Sequence, residues 1–148
     1  MLSLSDERTR REIGRSCACF NLRRAARLVT QRFDRALHDN GITANQFSIL
    51  MAAHDQKGIR LTRLAGILGM ERTTLSRNVS LLVNRGVVST EIGNDKRERK
   101  IFITDKGIAL LEKALPQWQK AQNDIIDSIG EEKWKGLLSG LHSVAREL

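Results

Sequence analysis

The stretch Leu61-Thr62-Arg63-Leu64-Ala65-Gly66-Ile67-Leu68-Gly69-Met70-Glu71-Arg72-Thr73-Thr74-Leu75-Ser76-Arg77-Asn78-Val79-Ser80-Leu81-Leu82 reads as two short helices joined by a tight turn. Leu64, Ala65 and Leu68 give the first helix an inward face, and Thr62 stands where a cap is expected. Small Ala65 lets the second helix cross closely. Gly69 supplies the turn, because glycine tolerates the left-handed conformation. From Glu71 onward, Leu75, Val79, Leu82 and Val83 recur at helical spacing and pack the crossing. What remains outward is Arg72, Thr73, Thr74, Ser76, Arg77 and Ser80. A helix-turn-helix carries such a face into a major groove. There short hydroxyls approach base edges, an arginine forks onto guanine O6 and N7, and the helix N-terminus attracts phosphate. The plainer alternative is an ordinary helical hairpin with a solvated polar face.

The next segment argues against that alternative. After Arg85-Gly86 the hydrophobic period changes to two. Val88, Thr90 and Ile92 alternate with Val87, Ser89 and Glu91, Gly93-Asn94-Asp95 forms a turn, and Ile101 and Ile103 alternate with Lys100 and Phe102. The tip of this hairpin is Asp95-Lys96-Arg97-Glu98-Arg99-Lys100. A wing of this kind lays Arg97 into a minor groove, where narrow A·T stretches concentrate negative potential. Asp95 is placed to brace that guanidinium through a charge-assisted pair, and Lys96 and Arg99 add to the basic surface. Reading helix and arginine-tipped hairpin together predict a winged helix-turn-helix over residues 41–107.

Outward from this unit the chain is helical. Residues 1–15 are polar and mixed in charge and are expected to be a frayed arm. From about Ser16 to Asp39, Leu22, Ala25, Ala26, Val29, Phe33, Ala36 and Leu37 form one apolar stripe, and Asn40-Gly41 stops the helix. Thr43 with Gln46 marks a capping box for a second helix, with Phe47, Leu50 and Met51 on its inner side. Ile59-Arg60-Leu61 looks like a very short strand. Thr104 to Gly107 opens a long helix with Ile108, Leu111, Leu115, Trp118 and Ile125 in line and Pro116 placed to kink it. Gly130-Glu131-Glu132 starts a last helix with Trp134, Leu137, Leu138, Leu141, Val144, Ala145 and Leu148. The expected fold is mainly α with a small β-hairpin wing. Residues 1–40 and 108–148 form the helical remainder.

Composition narrows the function classes. The chain has 148 residues, 41% hydrophobic and 28% charged, with one proline and no tyrosine. That length buries an adequate core without disulfides. Two cysteines exclude a disulfide-dense scaffold or a cysteine-rich zinc ribbon. No apolar run is long enough to span a membrane, and the charged start does not suit a signal peptide, so no membrane partner and a cytoplasmic location are expected. The net charge is +8, and it is unevenly spread. Residues 1–40 carry nine basic and five acidic side chains, residues 41–107 eleven and six, and residues 108–148 five and six. Such a field favours a polyanionic partner. Double-stranded DNA read by sequence is one reading. The alternative is a basic RNA-binding or nucleoid-architectural protein without base readout. Scarce aromatics, 4% of residues, disfavour single-strand stacking.

From about Phe20 to Gly107 the chain resembles the MarR family of bacterial transcriptional regulators. The residues carrying the likeness are Leu64-Ala65, Leu68 through Arg77, Arg85-Gly86-Val87-Val88, Asp95-Lys96-Arg97 and Ile103 through Gly107. Their order and spacing together are specific, although no single one is diagnostic. The resemblance implies a homodimer on a pseudo-palindromic operator, with the N- and C-terminal helices of two chains interlocked as a dimerisation domain. It further implies a repressor or an activator, with a repressor released by a small-molecule or oxidant signal as the expected form.

Family members commonly hold small aromatic or anionic effectors between the DNA-binding and dimerisation parts. Arg24, Arg27 and His54 are candidates to meet such a carboxylate here; the alternative is that they face solvent or pair with acids. Cys17-Ala18-Cys19 admits three readings: two semi-buried structural cysteines, a redox switch, or a metal site. A helix start and nearby Arg15, Arg23 and Arg24 favour thiolate. Cys19-Phe20, followed by Leu22, Ala25, Ala26 and Arg27, is similar to the start of the organic-hydroperoxide-sensing branch, where a Cys-Phe pair carries the reactive thiol. That branch bonds the thiolate with tyrosines of the second helix. Here the matching segment is Ile42 to Phe47, without tyrosine. Metal binding lacks paired histidine spacing among His38, His54 and His142. No phosphate-binding loop, dinucleotide fingerprint, metalloprotease motif or nucleophile elbow is present, so neither a cofactor nor catalysis is expected.

Overall fold

The structure, a computed structural model, describes residues 5–93 and 98–147. Its elements are α1 (Glu7–Ser16), α2 (Ala18–Leu37), a 3-10 turn (His38–Asn40), α3 (Ala44–Asp55), β1 (Ile59–Arg60), α4 (Leu61–Leu68), α5 (Arg72–Asn84), β2 (Val88–Ile92), β3 (Arg99–Ile103), α6 (Asp105–Ile129) and α7 (Glu131–Glu147). The chain divides into two compact units, Met1–Arg32 and Phe33–Leu148. Among the described residues no helix is long and apolar enough to cross a membrane.

In the first unit, the expected frayed arm is instead a helix. Asp6 caps α1, its carboxylate accepting from the Arg8 N–H at 3.0 Å, the Thr9 N–H at 3.3 Å and the Thr9 hydroxyl at 2.9 Å. Glu7 and Arg11 pair one turn apart. The Asp6 cap and the Glu7–Arg11 pair thus support a helix where a count of polar residues suggested disorder. Cys17 has extended backbone angles and separates α1 from α2. Asn21 bridges the break, its amide donating to the carbonyls of Arg15 at 3.1 Å and Cys17 at 2.9 Å.

In the second unit, a three-stranded antiparallel sheet of order β1-β3-β2 backs the helices. Val88 pairs with Ile103, Thr90 with Ile101, Ile92 with Arg99, and Ile59 with Ile101 across the other edge. Leu37, Ile49, Leu50, Ile59, Leu64, Leu75, Val79, Leu82, Val87, Val88 and Ile101 are fully buried and form one core. Each large apolar side chain buried in this way contributes about 1.5–3 kcal/mol. The capping box at Thr43 and Gln46 is formed in both directions, and Asp34 accepts from the Ala44 N–H at 2.7 Å. α4 starts one residue before the expected cap. Arg60 is its N-cap without a side-chain bond, and Thr62 lies inside the helix. The strand runs directly into the helix there, leaving no room for a capping hydroxyl. α6 continues unbroken through Pro116, although the Glu112 carbonyl loses its helical donor there. α7 buries none of its residues within the chain. Leu148, expected at its end, lies outside the described residues.

Candidate nucleic-acid interface

The turn between α4 and α5 rests on Gly69, at φ 58° and ψ 33°. The Met70 N–H returns to the Ala65 carbonyl at 2.9 Å, which closes α4 and releases the chain into α5. In α5, Leu75, Val79 and Leu82 are fully buried. That face fixes the opposite one by helical geometry. Arg72, Thr73, Thr74, Arg77 and Ser80 are exposed, and Ser76 is half-buried. Ser80 donates its hydroxyl to the Ser76 carbonyl at 2.9 Å, leaving its oxygen lone pairs outward. Glu71 is the N-cap and gives no side-chain cap, so the first-turn amides of α5 are not satisfied by a protein side chain. Among the described residues Arg72, Arg77 and Arg99 enter no ion pair. The face therefore combines hydroxyls, two free guanidinium groups and a positive helix end, the chemistry that binds phosphate and base edges.

The wing strands carry Arg99, exposed, directly opposite Ile92, which is 69% exposed. Glu98 closes the described part of the hairpin by accepting the Gly93 N–H at 2.7 Å and pairing with Arg60 of β1 at 3.3 Å. Asp95, Lys96 and Arg97 lie outside the described residues. Two exposed residues escaped the sequence reading. Asn84 falls on the same helical line as Thr73, Arg77 and Ser80, and the i, i+4, i+7, i+11 spacing was the signal that pointed to it. Arg63 projects from α4, the helix that precedes the turn.

The other candidate residues lie elsewhere. Cys17 is half-buried and accepts from the Phe20 N–H at 3.5 Å, and Cys19 is exposed; neither is in a disulfide. Arg24 and Arg27 are exposed on α2, and His54 is exposed on α3. A cleft of about 350 Å³ opens between α3 and α6, lined by Phe47, Ser48, Met51, Ala52, Leu115 and Trp118. His54 does not line it. Among the described residues no group of three or more histidines, cysteines or carboxylates is gathered as a metal site.

Comparison with known proteins bears on this arrangement directly. Residues 40–98 match a family model described as MarR family. The chain is 31% identical over 123 residues to the HTH-type transcriptional regulator PetP of Rhodobacter capsulatus, covering 82% of this chain and 70% of PetP. It is 32% identical over 127 residues to the transcriptional regulator HosA of Escherichia coli O111:H-, covering 85% and 86%. The M. tuberculosis transcriptional regulator MosR, solved in complex with DNA, superposes with a TM-score of 0.80 at 36% identity, over 89% of this chain and 96% of MosR. With its buried helix crossing, polar reading face and antiparallel wing, this chain belongs to the MarR family of DNA-binding transcriptional regulators.

Proposed function

We propose that two copies of the chain pair through residues 1–40 and 108–148 and present two winged helix-turn-helix units, residues 41–107, to one pseudo-palindromic operator. The observation that carries this is the two-sidedness of α5, in which Leu75, Val79 and Leu82 are fully buried while hydroxyls and unpaired guanidinium groups face out. Pairing is supported by exposed apolar side chains on α7 and α2. Leu137, Leu138, Leu141 and Val144 of α7 are all exposed, as are Phe20, Leu22, Leu28 and Val29 of α2. Two symmetric reading helices reach major grooves about 34 Å apart, on an inverted repeat of roughly 16–20 base pairs. Thr73, Thr74, Ser76, Arg77 and Ser80 contact base edges and phosphates. Arg72, Arg99, Lys96 and Arg97 supply backbone charge, and Asp95 orients Arg97.

The protein acts by binding and not by catalysis, in the cytoplasm, as a repressor that lets go of DNA on a signal. The apolar α3–α6 cleft has the size and lining for a small aromatic effector. Arg24, Arg27 and His54 are candidate partners for an anionic group, and Cys19, exposed beside Cys17, is the candidate oxidant-responsive thiol. An effector acts only through unequal affinity for the DNA-competent and DNA-incompetent states. Selection from a random duplex pool with the full-length protein tests the operator reading. An enriched inverted repeat supports it; recovery of arbitrary sequence, or equal affinity for duplex RNA at matched salt, refutes it.

A further inference from the structure

The segment that leaves the reading helix is tied to two other helices. Arg85 closes α5, its N–H donating to the Leu81 carbonyl at 3.2 Å while the Gly86 N–H donates to the Val83 carbonyl at 2.8 Å. Its guanidinium reaches back 44 residues to the turn that ends α2. One nitrogen donates to the Gly41 carbonyl, and the other to the Asn40 carbonyl at 3.5 Å. Both carbonyls sit at the end of the 3-10 turn, where peptide dipoles concentrate negative charge. Gly41 adopts φ 67°, and a Cβ there would stand 3.4 Å from the guanidinium. The Asn40 side chain offers no comparable anchor. It is buried, and its Nδ2 has no hydrogen-bond partner among the described residues. From the start of α6, Lys106 donates to the Arg85 carbonyl at 2.7 Å and the Thr104 hydroxyl to the Gly86 carbonyl at 2.7 Å.

We propose that Arg85 is a positioning residue, locking the exit of the reading helix to the end of α2 and thereby setting the separation of the two reading heads. A planar fork on two carbonyls restrains rotation as well as distance, which a single ammonium does not. The inference rests on the paired-operator reading. One base pair added to the operator spacer displaces a half-site by about 3.4 Å and rotates it by about 35°. A locked pair of heads therefore discriminates sharply against altered spacing, and a loosened pair less so.

The test uses the full-length protein and the inverted repeat recovered by selection, with spacers lengthened or shortened by one base pair. The unmodified protein should lose affinity for altered spacers by about tenfold. Arg85→Ala should bind an isolated half-site within about twofold of the unmodified protein, while its spacer penalty falls to about threefold. Arg85→Lys, keeping charge without the fork, should fall between. An unchanged spacer penalty in Arg85→Ala overturns the proposal, and so does a matching loss on the isolated half-site. Circular dichroism reports whether Arg85→Ala folds; if it does not, Arg85→Lys carries the comparison, and an unchanged penalty contradicts the proposal. If the unmodified protein prefers no inverted repeat over a scrambled duplex, the paired-operator reading is what has failed.

Discussion

The indole of Trp118 on α6 stacks on the ring of Phe47 on α3, with centroids 5.9 Å apart and planes 11° from parallel. Phe33 at the end of α2 meets the same indole at 6.2 Å. One side chain thus holds three helices and forms a wall of the apolar cleft. Trp118→Ala should cost about 2–4 kcal/mol in urea unfolding, somewhat below the full range for a core tryptophan because the ring is partly exposed. A loss below about 0.5 kcal/mol would show that the stack holds nothing.

Gly107 lets α6 start against β2. A Cβ there would overlap the Val87 carbonyl oxygen and stand 2.7 Å from Ile103 Cγ1. That close approach is what brings the Thr104 N–H to the Val87 carbonyl at 3.2 Å. Gly107→Ala should destabilise the fold by about 2 kcal/mol or more, because backbone must move. An unchanged denaturation midpoint would contradict the packing described here.

The reading helix was legible because two signals coincide in it. Leu75, Val79 and Leu82 mark the buried side, and apart from Leu81 the residues between them are short, polar or basic. Gly69 and the Thr43–Gln46 box were legible because each has a local backbone consequence. α1 was not, since Asp6, Glu7 and Arg11 are polar residues whose value lies in pairing with each other and not in burial. The Thr62 cap failed because β1 feeds α4 without a loop. The Arg85 contact joins positions 44 residues apart, and no local pattern announces it.

The cap of α1 has a pH signature. The Thr9 hydroxyl, followed by the Arg8 amide, holds the Asp6 carboxyl below the ordinary range. A group lowered on folding lends its stability fully above its unfolded value, about 3.9, and loses it as pH falls through the folded one. The amide signals of Arg8 and Thr9 should therefore move toward coil positions as pH drops below about 4. Asp6→Asn should keep the cap and lose this response. Amide shifts that stay constant through the acid range would remove the cap from the account.

The oxidant reading makes a separate prediction. Attack of the Cys19 thiolate on a hydroperoxide transfers one oxygen to sulfur, giving sulfenic acid and releasing an alcohol. Operator affinity of the unmodified protein should fall on peroxide treatment and recover with a thiol reductant, while Cys19→Ser stays unaffected. Identical responses in the two proteins would retire Cys19 as a sensor.

The central claim is that the outer face of α5 reads base sequence. Competition binding measures it directly: a labelled inverted repeat held by the full-length dimer and displaced by scrambled duplexes at fixed salt. The account predicts that the scrambled duplex competes at least about a thousandfold less well. It also predicts that Arg77→Ala shrinks that ratio, whereas Arg99→Ala weakens binding to both duplexes alike. Equal competition by any duplex, or a strictly monomeric protein at the concentrations used, would contradict it.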